Sequence, residues 1–594
     1  IRGEKGNAVY DTSSMDFVTG PAPDTVNPSL WRHAELMAET GLYEVAEGIY
    51  QVRNFDVTTM SVIRGDKGWI AVDPVISTEP AAAALKLLQD KVADLPVTAV
   101  IFTHSHIDHF GGVKGWITEE QVRSGEVQVI APEGFFDHAV SEMLLAGNAM
   151  SRRAHYMHNA FIDRSPTGTM GSGLGSGISN GTITIIEPNV TIAANTMHDG
   201  GEAQKMTVDG VEIWFHATPG AEAPAELMAW FPKQKALLHS EIMNHTMHNL
   251  YTPRGTQARN GLLWSKYIQD VIVRYGDQAE ISFGSHFWPV WGNAEINAFW
   301  KGQRDIYRYI HDETLRLANH GLSMNEIAEE VHLPESLSHS FSNRGYYGSL
   351  NTNVKGQYQF YYGWFSGNPS ELNELPPEAE AAKFVEYAGG ADAILEKARA
   401  DYAAGEYRWV ATALNKVVFA DPENQPARDL LADTLSQMAW QSENGVWRNF
   451  FLSGAQELRV GTAGSKGPQS GSADIVRALD LESYLDYLGV RMNGPKAAEA
   501  GTLRLNLVLP DRGESAAITV ENGALSYVLG TTDEAAQATL TIDRTVLDQV
   551  NLQQTTFADA LAQGKASIEG DPQAFQQFLG LMDSFDLYFN IVTP

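Results

Sequence analysis

Thr103-His104-Ser105-His106-Ile107-Asp108-His109 sets three imidazoles and a carboxylate directly after the apolar run 97–102. Such a cluster at the end of a strand reads as a metal site. In an extended segment alternate side chains point the same way, so His104 and His106 can grip one ion. Asp108 and His109, at the following turn, can reach a second ion nearby, and one loop then supplies half of a binuclear centre. The alternative is a polar surface loop holding three of the chain's 17 histidines. It does not account for spacing that follows metal-ligand chemistry.

The text before the cluster is that of strands. Gly48-Ile49-Tyr50-Gln51-Val52 reads as one, and residues 60–73 read as a hairpin turning at Gly65-Asp66. In this setting HxHxDH followed by Phe110-Gly111-Gly112 resembles the first metal motif of the metallo-β-lactamase superfold, an α/β protein built as an αββα sandwich with its metals at one edge. The resemblance makes Asp73 the aspartate that braces the metal loop. The superfold's usual Thr-Pro-Gly-His is here Thr218-Pro219-Gly220-Ala221-Glu222-Ala223-Pro224-Ala225-Glu226, so a carboxylate must stand in for the histidine. In Leu237-Leu238-His239-Ser240-Glu241, glutamate likewise replaces the usual bridging aspartate.

Together with Phe283-Gly284-Ser285-His286 and Asn249-Leu250-Tyr251-Thr252-Pro253-Arg254-Gly255, these segments resemble the alkylsulfatase branch, which hydrolyses sodium dodecyl sulfate and related alkyl sulfate esters. The resemblance covers nearly the whole chain, through Asn27-Pro28-Ser29-Leu30-Trp31-Arg32, Arg344-Gly345-Tyr346-Tyr347-Gly348 and Trp447-Arg448-Asn449-Phe450-Phe451. It implies two zinc ions per chain, one on His104, His106 and Glu222, the other on Asp108, His109 and His286. Glu241 would bridge them or sit beside the nucleophilic water. Glu226 competes with Glu222, and His239 is a substitute near Glu241. The implied reaction is attack by a metal-bound hydroxide, held or oriented by Glu241 and Asp108. A planar guanidinium matches paired sulfate oxygens, so Arg254 and Arg259 are the candidates for a sulfate clamp, with Asn249 as a neutral donor.

Composition narrows the class. There are no cysteines, so every metal ligand must be a nitrogen or oxygen donor, which suits zinc but also iron or manganese. A formal charge of −31, from 73 acidic against 42 basic residues, argues against nucleic-acid binding. It also opposes adsorption to anionic membranes, and no apolar run reaches transmembrane length. A periplasmic or secreted enzyme fits better than a cytosolic one, with the start at Ile1 consistent with a removed signal peptide or a trimmed chain. The expected substrate is a small amphiphilic anion, so the site must supply local positive charge.

At 594 residues the chain should split into several domains. Residues 1–300 hold every metal motif. The glycine-rich stretch 168–181 reads as a mobile connection or a sulfate cradle, leading to a strand at 182–187. Residues 301–460 turn helical, with tetratricopeptide-like pairs over 391–404, 407–420 and 425–442. The resemblance makes this region a homodimer interface, with the aromatic stretch 358–365 either an arm to the partner or internal packing. Gly461 to Ser472 reads as a linker. In residues 473–594 a helix at 473–488, strands at 502–509, 516–520, 524–529 and 538–542, and helices near 545–553 and 571–585 give an α+β order that looks sterol-carrier-like. Such a fold can hold an aliphatic tail.

Two rival functions remain: another binuclear hydrolase of the same fold, such as a phosphodiesterase or lactonase, and a non-enzymatic lipid-binding protein. The chain departs from the alkylsulfatase pattern at Asn244-His245-Thr246-Met247-His248, where the family tends to carry a small residue. Either this is bulk beside the metals or His245 points away as packing. The first reading favours a secondary alkyl sulfate cleaved at the carbon–oxygen bond with inversion.

Overall fold

The computed structural model describes residues 1–142, 144–462 and 472–594, so most of the linker expected over Gly461 to Ser472 lies outside the described residues. The chain divides into a larger unit (Ile1–His138, Met150–Pro468, Tyr588–Pro594) and a smaller one (Ala139–Ala149, Gln469–Leu587).

The larger unit opens with seven strands paired in chain order: β1 (Gly41–Ala46), β2 (Ile49–Arg53), β3 (Met60–Arg64), β4 (Trp69–Val72), β5 (Val97–Ile101), β6 (Gln128–Pro132) and β7 (Val190–Ile192). Pairing is antiparallel up to β4 and parallel from β4 to β7. A second sheet comprises β8 (Gln204–Val208), β9 (Val211–Ala217), β10 (Leu227–Phe231), β11 (Ala236–Leu238), β12 (Ile281–Phe283) and β13 (Val290–Trp291), ordered β13-β12-β11-β10-β9-β8.

Strand β10 shows why two layers form. Leu227, Ala229 and Phe231 point inward to a core shared with Ile49, Ile70 and Ile101 of the first sheet. Met228 and Trp230 point outward into a second core with helices Gly261–Tyr275 and Asn293–Asn319. There Trp230 stacks on Tyr275 with ring centroids 4.2 Å apart. Helix Thr78–Lys91 is the crossover between parallel β4 and β5 and buries Ala81, Ala84, Leu85 and Leu88 at helical spacing. This is the expected αββα sandwich.

Helix Asn293–Asn319 runs across residue 300 and carries the chain into the helical part. Helices Ala391–Ala403, Tyr407–Ala420, Gln425–Gln441 and Gly445–Val460 close a separate apolar core around Leu414, Val417, Leu431 and Leu458. The smaller unit is a sheet ordered β16-β15-β14-β17-β18, from β14 (Leu503–Leu509), β15 (Glu514–Glu521), β16 (Ala524–Leu529), β17 (Ala538–Ile542) and β18 (Ala566–Gly570), with its own core. The turn joining β15 to β16 places Asn522 and Gly523 at φ 53° and 79°, the left-handed pair a tight hairpin needs. The helix expected over 473–488 is broken. It stops at Ala478, and Asp480 caps a new helix, Leu481–Arg491, by accepting from the Ser483 N–H at 2.6 Å.

Two expectations beside the sandwich are overturned. Residues 182–187 have no ladder partner; the Thr184 N–H and hydroxyl both donate to the Gly111 carbonyl, at 2.7 and 2.8 Å, and Thr182 donates to the Glu79 carboxylate. The glycine-rich stretch is neither an open cradle nor a surface connection, because residues 168–176 are buried throughout. Its carbonyls are satisfied from helix Gly445–Val460: Arg448 donates to Pro166 and Gly168, and Asn449 to Gly171. Glycine there serves close approach. Gly173 sits at φ +84°, and a Cβ on it would lie 2.0 Å from the Tyr346 carbonyl oxygen.

Gly173→Ala is therefore expected to destabilise the larger unit by about 3 kcal/mol, read as a lower unfolding temperature by calorimetry. An unchanged transition would show that the loop can yield.

Candidate metal centre

The predicted ligands and the bracing Asp73 all follow the C-terminal ends of strands. Asp73 follows β4, the histidine loop follows β5, Glu222 follows β9, Glu241 follows β11 and His286 follows β12. The two sheets are stitched together at this edge. The Leu227 N–H donates to the Thr103 carbonyl at 2.9 Å, and His104 pairs with Glu226 as an isolated bridge. Irregular backbone leaving several neighbouring strands thus converges in one place, the geometry by which a rigid sandwich presents a site.

Two overlapping donor sets result: His104, His106, Glu222 and Glu241, and Asp108, His109, Glu241 and His286, each with one ligand atom per residue within 4.8 Å of the others. Glu241 belongs to both. Its Oε2 lies 3.2 Å from His104 Nε2, 3.1 Å from His109 Nε2 and 3.3 Å from His286 Nε2. Glu222 Oε2 lies 2.8 Å from His106 Nδ1 and 3.3 Å from His104 Nε2. The Nε2 atoms of His104, His109 and His286 and Oε2 of Glu222 are buried without a hydrogen-bond partner among the described residues. Buried polar atoms are ordinarily satisfied. Four orphans converging from three loops, all nitrogen or oxygen donors, fit divalent metal ions.

The outer atoms of these ligands are fixed by partners that also choose their tautomers. His109 Nδ1 lies 2.9 Å from Asp73 Oδ2, and His286 Nδ1 lies 3.1 Å from the Val57 carbonyl, so both rings direct a lone pair inward. Thr58 donates to Asp108 at 2.8 Å. Burial alone would raise the carboxyls, but neighbouring basic side chains outweigh it: His109 beside Asp108, His286 beside Glu241, and Arg259 with His106 beside Glu222 hold all three below the ordinary carboxylate range.

Glu222 and Glu226 are now distinguishable. Glu226 turns away to accept from the Ser240 hydroxyl at 2.8 Å and from the Glu222 N–H at 3.0 Å, and so shapes the loop. Burial, then the Glu222 charge, raises its carboxyl. His239 lies outside both donor sets, beside the Phe299 ring with centroids 5.9 Å apart.

The three expected sulfate residues lie on or beside the segment between Asn249 and Arg259, but they are not alike. The Asn249 Nδ2 is buried with no hydrogen-bond partner among the described residues. Arg254 is half-buried and contacts the Met150 sulfur at 3.9 Å. Arg259 is committed: it donates to Glu222 Oε1 at 2.6 Å, the Glu222 carbonyl at 2.6 Å, the Asn249 carbonyl at 2.7 Å and the Thr252 hydroxyl at 3.0 Å. Its guanidinium braces a ligand and is not aimed at an open sulfate. His245 is packing, sandwiched between Trp288 and Phe299 with centroids 4.7 and 5.0 Å away. His248, which no sequence motif singles out, places Nε2 2.9 Å from Glu241 Oε1. The only signal for it is the density of histidine after Glu241.

Comparison with known proteins agrees with this geometry. Residues 53–179 match the metallo-β-lactamase superfamily, 323–461 the alkyl sulfatase dimerisation family and 469–594 the alkyl sulfatase C-terminal family. A linear primary-alkylsulfatase from a Pseudomonas species is 46% identical over 100% of this chain and 87% of its own length. An (R)-specific secondary-alkylsulfatase, also from Pseudomonas, is 39% identical over 100% and 88%. The solved structure of the stereoselective inverting sec-alkylsulfatase Pisa1 from Pseudomonas, 39% identical, superposes with a TM-score of 0.95 over 100% of this chain and 93% of that one. The chain therefore belongs to the alkylsulfatases, sulfuric ester hydrolases built on the metallo-β-lactamase fold.

Proposed function

We propose that this chain hydrolyses alkyl sulfate esters to an alcohol and inorganic sulfate at a centre of two zinc ions, one on His104, His106 and Glu222, the other on Asp108, His109 and His286, with Glu241 between them. The convergence of four unsatisfied buried donor atoms carries this reading. When bound, such metals make a nucleophilic water available near neutrality and neutralise developing negative charge. Asp108 and Glu241 would hold or orient that water, while Asp73, Val57 and Arg259 keep the ligands from rotating away. Arg254 and the Asn249 amide hold the sulfate, and Arg259 acts through Glu222. Because His245 is packed between aromatic rings, it adds no bulk beside the donors. Linear primary alkyl sulfates, the substrates named for the 46% identical relative, therefore come before secondary ones. Carbon–oxygen cleavage is retained, with inversion where the reacting carbon is a stereocentre, supported by the inverting relative.

A homodimer through the helical part is part of the same reading. Phe360, Tyr361, Tyr362 and Trp364 are 42–65% exposed within the region matching the dimerisation family, an aromatic surface of the kind protein interfaces cover.

Two zinc ions per chain are expected by elemental analysis. Replacing His104, His109 or His286 by Ala should remove at least one and lower kcat/KM by more than about a hundredfold, the upper range for losing an outer-shell partner alone. Full activity in metal-free protein would overturn the assignment. Arg254→Ala should keep both metals yet lower kcat/KM roughly a hundredfold, about 3 kcal/mol, with Arg254→Lys restoring part. Hydrolysis in heavy-oxygen water should put the label in the alcohol; label in the sulfate would mean attack at sulfur.

A further inference from the structure

One buried cluster of the larger unit lies outside the metal centre and has no part in the chemistry above. Arg152 and Glu457, whose side chains are 2% and 6% exposed, form an ion pair, and Tyr156 donates to the same carboxylate at 2.6 Å. The last residues of the chain close over it: the Ile591 N–H donates to Glu457 Oε1 at 2.7 Å, and Arg152 Nε donates to the Phe589 carbonyl at 2.9 Å. A desolvated ion pair contributes little net stability, and its best-attested use is to fix one arrangement.

The arrangement fixed is that of helix Gly147–Met157. Successive residues on a helix point about 100° apart, so with Arg152 locked on Glu457, Arg153 must face elsewhere. It donates to the Pro253 carbonyl through Nε at 3.2 Å and Nη2 at 2.8 Å, and reaches the Tyr251 hydroxyl at 3.4 Å. One turn earlier, Met150 meets Arg254. On its other side the same segment is held by Arg259 through the Asn249 carbonyl and Thr252 hydroxyl. The backbone that carries Arg254 is thus gripped by two arginines, of which Arg259 also serves Glu222. Arg153 has no second task among these contacts.

We propose that Arg153 is a positioning residue for sulfate ester binding: it sets the backbone at Pro253 and so aims Arg254, and it is itself aimed by the Arg152–Glu457–Tyr156 cluster that the chain's terminal residues close. The inference rests on the reading of Arg254 as the sulfate-holding cation.

A double-mutant cycle on the metal-loaded enzyme tests it, using octyl sulfate as substrate and octanesulfonate, which cannot be hydrolysed, as binding probe. Arg153→Ala is expected to raise KM and the sulfonate Kd about tenfold, with kcat changed less and both metals retained; in an Arg254→Ala background the same change should cost less than about twofold. Arg153→Lys should recover part of the loss. Deleting residues 591–594 should show the same dependence on Arg254. An equal cost in both backgrounds would mean only a general loss of structure, and no cost in either would mean no positioning; each overturns the proposal. If Arg153→Ala does not fold, Arg153→Lys carries the cycle with the same criteria. Should Arg254→Ala alone leave KM and Kd unchanged while chelation still abolishes turnover, the sulfate reading fails and takes this inference with it. Should Arg254→Ala act while Arg153 proves additive, only this inference fails.

Discussion

The carboxylate of Asp73 is the point on which the site depends. It is fully buried at the end of β4, with a backbone φ of +52° that turns it under the loops of its neighbours. It accepts from the Thr103 N–H at 2.9 Å, the Thr103 hydroxyl at 2.7 Å and the Ser285 hydroxyl at 2.6 Å, and it holds His109. A buried charge with fewer donors would be costly. With these four it ties the ends of β4, β5 and β12 together and sets one metal-facing imidazole. Strained backbone at such a position is tolerated because the surrounding contacts over-determine it.

Around that anchor the site has two tiers. The inner tier is a set of nitrogen and oxygen atoms facing one another with too few hydrogens between them. The outer tier holds His286, His109, Glu241 and Glu222, through Val57, Asp73, His248 and Arg259, each by the atom turned away from the other donors, while Thr58 steadies Asp108. The division matters chemically, because a ligand free to rotate would collapse onto its neighbour, as the 2.8 Å approach of His106 to Glu222 shows is within reach.

What the amino-acid sequence makes legible is what is local. His104, His106, Asp108 and His109 declare themselves because strand periodicity and one turn suffice to aim them. Glu222 against Glu226 cannot be decided that way: both lie in one loop, and the difference is that Ser240, in the loop after the next strand but one, takes Glu226. Arg259 misleads for the same reason, since its charge is visible in the text but its partner lies 37 residues away. The glycine-rich stretch misleads by composition, which registers small residues and cannot say whether they are small for freedom or for contact. His248 sits in irregular chain where no period applies.

That stretch also bears on how the chain can be divided. Residues 168–176 are lined by Arg448 and Asn449, by the approach of Tyr346 to Gly173, and by Gly445 against Gly173. Leu174, Val57, Met157 and Phe287 share a core with Tyr347 and Val446. A fragment cut near residue 300 would leave these carbonyls without donors and this apolar surface in water. The sandwich that supplies every ligand is therefore not a separable module, and a gene-level excision of the hydrolase from its helical partner would remove part of the wall behind His286.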